Sequence, residues 1–109
     1  MATLTVQDVS VSGLTPSYDP ADVAGDQFTY HDTAFLHVKN EDASDHTVTV
    51  VSQFDAIEGV TAADVEVTVT AGEERMIGPF SRRYFPDGDG NVQVTYDAVT
   101  SVTVAAIKL

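Results

Sequence analysis

The sequence predicts an all-β domain, a single antiparallel β-sandwich of about seven strands in an immunoglobulin-like or jelly-roll-like arrangement. Three observations lead there. Apolar residues recur at every second position through most of the chain, which is the period of a strand with one face buried. No window of useful length shows the 3.6-residue spacing of a helix. Short polar runs rich in Asp, Gly, Asn and Ser separate the alternating segments, as turns between strands do. At 109 residues, with no repeat or shift in composition, the chain reads as one domain spanning 1–109.

The elements follow in order. In "TLTVQDVSV", Leu4 and Val6 share one face. Gln7-Asp8 then breaks the phase, and Val9 and Val11 fall on the other parity. A bulge or a bend from one sheet to another produces such a slip. "SGLTPSYDPADVAGD" carries two prolines and two glycines and reads as a loop. "AFLHVKN" puts Leu36 and Val38 on one side, Phe35 and His37 on the other. After the polar turn "NEDASD", "HTVTVVSQF" returns with Val48 and Val50 inward, completing a hairpin. "DVEVTVTA" points Val65, Val67 and Val69 to the core and Glu66, Thr68 and Thr70 to water. The turn "AGEE" leads into "RMIGPF", where Gly78 and Pro79 end the ladder because proline has no N–H to give. "NVQVTYDA" alternates through Val92, Val94 and Tyr96. The last segment, "SVTVAAIKL", is apolar on both faces: Val102, Val104 and Ala106 on one, Ala105, Ile107 and Leu109 on the other. Such a strand is either central in the fold or covered by another chain.

Seventeen acidic residues against five basic ones give a formal charge of -12 on 11.6 kDa. That field repels phosphates and anionic lipid, so neither nucleic acid nor a membrane surface is an expected partner. It also repels itself, a penalty that fades at about 1 M salt, where the screening length is about 3 Å. Two lysines amid abundant Asp, Glu, Thr and Val fit a high-salt origin; an acidic mesophile protein, or a face meeting a basic partner, is the alternative. No apolar run nears the ~18 residues that span a bilayer, and no basic start precedes an apolar stretch, so a soluble chain without a Sec-type leader is expected. With no cysteine, disulfide and thiolate chemistry are absent.

The stretch "PFSRRYFPDGDGN" concentrates what chemistry there is. Asp87, Asp89 and Asn91 occupy the first three ligand positions of a calcium loop, but the sixth is Val92 instead of Gly and the twelfth Ala98 instead of Glu. A turn built from Pro-Asp-Gly-Asp-Gly-Asn is the expected role, a weak calcium site the alternative, and no other cofactor is expected. Arg82 and Arg83, the only adjacent cations, suit bidentate bonds to a partner's carboxylates, with pairing to local acids as the competing use. Tyr84 and Phe85 beside them are candidate interface anchors, with core packing the simpler role for at least one. His31, His37 and His46 fit no short metal motif and read as structural. No nucleophile setting such as G-x-S-x-G appears, and carboxylates are too common to single out a pair, so no enzyme is expected.

The segments "FLHVKNEDASDHTVTVVS", "VTVTAGEERMIGPF" and "FPDGDGNVQVTYDAVTSVTVAAIKL", within Gln27 to Leu109, resemble the small β-rich head decoration and minor capsid proteins of tailed bacteriophages and related archaeal viruses. The likeness rests on an "FL-x-V-x-N" strand, a hairpin ending in "I-G-P-F" and a closing "V-T-V-A-A-I-x-L" unit. It does not extend to the N-terminal segment. The resemblance implies a virion structural protein on the capsid surface, a decoration or cement protein made in the host cytoplasm, with the major capsid protein as partner and a homotrimer as one oligomeric option. A halophilic host accords with the charge. Ile107 and Leu109, opposite in parity to the core residues of the last strand, join Arg82, Arg83, Tyr84 and Phe85 as candidate docking residues. A head–tail connector or tail component of the same virion, and a cell-surface module binding calcium or carbohydrate, are the rival readings.

Overall fold

A computed structural model describes residues 2–53, 55–57, 60–61 and 63–109, the side chains of 55–57 and 60–61 excepted. The strands are β1 (Ala2–Leu4), β2 (Val6–Asp8), β3 (Asp19–Pro20), β4 (Asp26–Thr29), β5 (Ala34–Asn40), β6 (His46–Val50), β7 (Asp55–Ile57), β8 (Val60–Thr61), β9 (Val65–Val69), β10 (Glu74–Ile77), β11 (Asn91–Tyr96) and β12 (Val102–Lys108). One five-stranded sheet runs β1-β4-β11-β6-β9. The other runs β10-β5-β12-β2, with β3 also paired to β12, and β7 and β8 form a two-stranded ribbon. The described residues contain no helix, and the fold is an all-β sandwich.

The expected count of about seven strands becomes twelve among the described residues. Strands of two or three residues, such as β1, β2 and β3, are too short to display a period. β4 escapes alternation for a different reason: Phe28 is its single large apolar residue. The sheets are also mixed rather than purely antiparallel, because β1 pairs with β4, and β2 with β12, in parallel. The bend expected at Gln7-Asp8 falls at Thr5, between β1 in one sheet and β2 in the other. Val9 and Val11 lie beyond β2 and are exposed, so their change of parity marks a departing chain and not a continued strand.

The core draws on the alternating positions read above, joined by Phe28 of β4. Phe28, Leu36, Val38, Val48, Val50, Val69, Val92, Val94 and Val104 are fully enclosed. Each such side chain contributes roughly 1.5–3 kcal/mol through removal from water. Val65 and Val67, on edge strand β9, are only half-buried, while Glu66 and Thr68 face outward.

β12 takes the first of its two expected places: it is central, bordered by β5 on one side and by β3 and β2 on the other. Its second apolar face is sealed by the chain's own loop. Gln7, cross-strand from Ile107, grips Ser17 twice: its Oε1 accepts the Ser17 N–H at 2.8 Å and its Nε2 donates to the Ser17 carbonyl at 2.8 Å. Tyr18 then lies edge-on against His37, the cross-strand partner of Ala105, with its hydroxyl 2.7 Å from His37 Nδ1. Lys39 Nζ sits 4.0 Å from the centre of the Tyr18 ring.

One buried amide ties the two sheets together. Asn40 on β5 donates through Nδ2 to the Val69 carbonyl of β9 at 3.0 Å and to Ser44 at 2.8 Å, and its Oδ1 accepts the Asp42 N–H at 3.0 Å. A polar side chain this enclosed is tolerable because its partners replace water. Within the other sheet, Tyr96 donates to Asp26 Oδ2 at 2.7 Å. Burial first, and the bond to Asp26 second, push the Tyr96 hydroxyl far above its ordinary value, so it stays protonated.

The sandwich has two distinct ends. At one, residues 30–33, residues 78–90 and the final residues of β12 come together: Lys108 pairs with Ala34, Asn91 with Thr29, and Ile77 with Leu36. At the other lie the turns 41–45, 70–73 and 97–101, which carry Glu41, Asp42, Asp45, Glu73 and Asp97.

Candidate interaction surface at the arginine end

The first end gathers the docking residues read from the sequence, though not all of them reach the surface. Residues 78–85 leave β10 through Gly78 and a cis Gly78-Pro79 bond. They bury Phe80 and Phe85, whose ring centres are 5.5 Å apart. Arg82 and Arg83 then project from the bend between these two aromatics. Alternation of aromatic and cation here is a matter of anchoring: the rings hold the bend, and the two arginine side chains lie at its exposed surface.

Arg82 pairs with Asp32 across the end. Its Nη2 and Nε lie 3.0 and 3.2 Å from the same Asp32 Oδ1, and both side chains are largely exposed. Its guanidinium carbon is 5.6 Å from the centre of the Tyr30 ring, within reach of a cation–π attraction. Tyr30 is fixed in turn by its hydroxyl, which donates to the Phe80 carbonyl at 2.9 Å. Desolvation, then the neighbouring Asp32, raise the Tyr30 hydroxyl above its ordinary value, and Asp32 holds the Arg82 guanidinium still more firmly protonated. Arg83 lies 5.9 Å from the Tyr84 ring centre, and its backbone N–H donates to Ser81 Oγ at 3.2 Å. Both arginines are therefore oriented by aromatic faces.

Tyr84 is half-buried against the core, and its carbonyl accepts the Gln53 N–H at 2.7 Å. Phe85 is a core residue and offers no anchor to a partner. Ile107, expected on a docking face with Leu109, is only 4% exposed; its ladder partner Gln7 is bonded on to Ser17 of the 9–18 loop. Leu109 is 76% exposed, and its carbonyl accepts from Thr33 Oγ1 at 3.1 Å. The surface presented at this end is thus Arg82, Arg83 and Leu109, with the exposed Val9 adjoining through its N–H bond to the Lys108 carbonyl at 2.9 Å.

The "PDGDGN" run folds as a turn around Asp87. Asp87 Oδ1 accepts the N–H groups of Asp89 and Asn91 at 2.9 and 3.0 Å, and Oδ2 accepts from Gln93 Nε2 at 2.7 Å. The Asn91 N–H, foremost, holds the Asp87 carboxyl below its ordinary range. Both its oxygens are thus committed to the turn, and Asp87 acts here as a loop organiser. Among the described residues no three His, Asp or Glu side chains converge as metal ligands. Of the three histidines, His37 and His46 are buried, each within reach of carboxylates, and His31 is half-buried.

Asp32 and Tyr30, which orient Arg82, were not singled out by sequence reasoning. The one available signal was the scarcity of cations, which demands an acidic neighbour, but seventeen acids give no means of choosing among them. No protein-family model, no curated protein and no solved structure matches the chain.

Proposed function

We propose that this domain is a virion structural protein, a capsid decoration or cement protein that seats its arginine end on the outer surface of the major capsid shell of a tailed virus. One observation carries the reading. On a domain of net charge -12, the adjacent arginines and an exposed leucine come together at one end, on a bend anchored by Phe80 and Phe85. Arginine forks recognise carboxylates bidentately, and an adjoining apolar residue supplies the water-free contact that holds such pairs. The complementary surface is a carboxylate-bearing patch on the capsid protein. Many weak copies across a lattice add up to durable reinforcement.

Purified domain added to undecorated shells measures this directly, with occupancy read by gel and by cryo-EM. The variant Arg82→Glu/Arg83→Glu should lower occupancy by about tenfold or more through charge repulsion at the contact, and Leu109→Ser by a smaller factor. Both should keep the circular dichroism of the parent, since neither touches the core. Full occupancy by both variants would eliminate this docking end.

We infer that the host is halophilic, and salt dependence bears on that. Raising KCl from about 0.1 to 1 M shortens the screening length from about 10 to 3 Å. The melting temperature should rise across that interval, by roughly 4–8 °C for each kcal/mol of self-repulsion relieved. A melting temperature independent of KCl would remove the halophilic reading while leaving the capsid one in place.

A further inference from the structure

The opposite end of the sandwich holds a histidine that the docking surface does not use. His46, first residue of β6, is only 6% exposed. Its Nε2 is 2.9 Å from Asp42 Oδ2, in the β5–β6 turn. Its Nδ1 is 3.4 Å from Asp97 Oδ1, just past β11, a separation suited to an ion pair. Among the described residues, Asp42 and Asp97 are the charged groups that act on it. Its ladder partner on β9 is Val69, the neighbouring Asn40 is neutral, and the carboxylate of Asp45 is engaged by the Ala71 N–H at 2.9 Å.

A neutral imidazole has one N–H and one lone pair. Flanked by carboxylates on both sides, it must turn the lone pair toward one of them. The imidazolium carries an N–H on each side: Nε2 bonds to Asp42, while Nδ1, which makes no hydrogen bond among the described residues, meets Asp97 as an ion pair alone. We propose that Asp42, His46 and Asp97 form a proton-operated clasp that joins the β5–β6 turn to the β11–β12 connection and closes the acidic end of the domain. The clasp is shut while His46 carries its second proton. Loss of that proton releases the Asp97 arm, which is the longer and the more exposed of the two.

Titration follows from the same contacts. The bond to Asp42, ahead of the opposing effect of burial, raises His46 above its ordinary 6.5. The bond from His46 foremost, with the Ala43 N–H next, lowers Asp42 below 3.8. A raised histidine contributes its full stabilisation below 6.5 and loses it as pH climbs through the raised value. A depressed carboxylate contributes fully above 3.8 and loses its share as pH falls through the depressed value. The clasp is therefore tightest between 3.8 and 6.5 and opens on the alkaline side.

A built-in reporter is available. The Glu41 N–H donates to the Ser101 carbonyl at 2.9 Å, spanning the same two segments. NMR titration of the His46 ring should give a midpoint above 6.5. The protection factor of the Glu41 amide, corrected for intrinsic exchange, should fall by about tenfold as pH crosses that midpoint. Asp97→Asn, at a half-exposed position that preserves folding, should move the midpoint down; His46→Gln should abolish the pH dependence of protection. A midpoint at or below 6.5, or Glu41 protection that stays level through the titration, would overturn the clasp. The inference stands apart from the capsid reading, because every measurement is made on the isolated domain.

Discussion

Phe28→Ala should cost about 3–5 kcal/mol, the range for deleting a buried aromatic ring and leaving a cavity. Phe28 is 0% exposed and sits on β4 between β1 and β11, its ring centre 6.3 Å from that of Phe80. Phe80 in turn packs on Phe85. The ring is thus the deepest of three aromatics stacked beneath the arginine end, and the strands around it cannot close the gap without breaking their ladders. Domains of this size hold about 5–15 kcal/mol in total, so roughly a fifth or more of the stability is at stake. Urea denaturation with an unchanged m-value is the measurement. A loss under 1 kcal/mol would show that Phe28 does not anchor the core.

Gly78→Ala should be nearly as damaging, for a geometric reason. Gly78 has φ of 129°, a region that residues with a side chain rarely enter. A Cβ there would lie 3.0 Å from Phe35 Cβ, 3.1 Å from Phe35 Cα and 3.2 Å from Phe80 Cε2. Backbone and ring must move together to admit it. Backbone strain costs about 1–3 kcal/mol and overpacking a similar amount, giving about 2–6 kcal/mol together. Because Phe80 positions the bend that carries Arg82 and Arg83, the proposed capsid docking predicts that shell occupancy falls although both arginines remain. Gly88 makes the control: its φ is not left-handed and nothing lies within 4 Å of its added carbon. Gly88→Ala should stay within about 0.5 kcal/mol of the parent. Equal losses in the two variants would show that the close approach to Phe35 and Phe80 is not the cause.

Much of this architecture was legible from parity. Val48 and Val50 were read as inward, and Leu36 with Val38 and Val92 with Val94 as sharing a face; all six are buried, because a strand offers only two directions and water selects one. What escaped was long-range. The hairpin read across residues 40–46 is instead a crossover, since β5 lies in one sheet and β6 in the other, and pairing of this kind is not written in a turn. Ile107 was read toward a partner because a single strand carries no sign of what lies over it. Beside it lies Gln7 of β2, which holds Ser17 of the following loop, and both come some ninety to one hundred residues earlier in the chain. The arginine pair was visible by its rarity, but not the Asp32 and Tyr30 that orient it. His46 was read only as structural, since neither Asp42 nor Asp97 stands out in a chain so rich in carboxylates. Parity is written locally; cover and charge pairing are decided by which turns meet.

The middle position of β12 governs how quickly this molecule can be assembled. Its neighbours β5 and β2 are drawn from far upstream, so that sheet has no centre until segments some sixty to one hundred residues apart find one another. Distant pairings of this kind require closing long loops before any reward arrives, which places refolding on the millisecond-to-second scale of all-β domains.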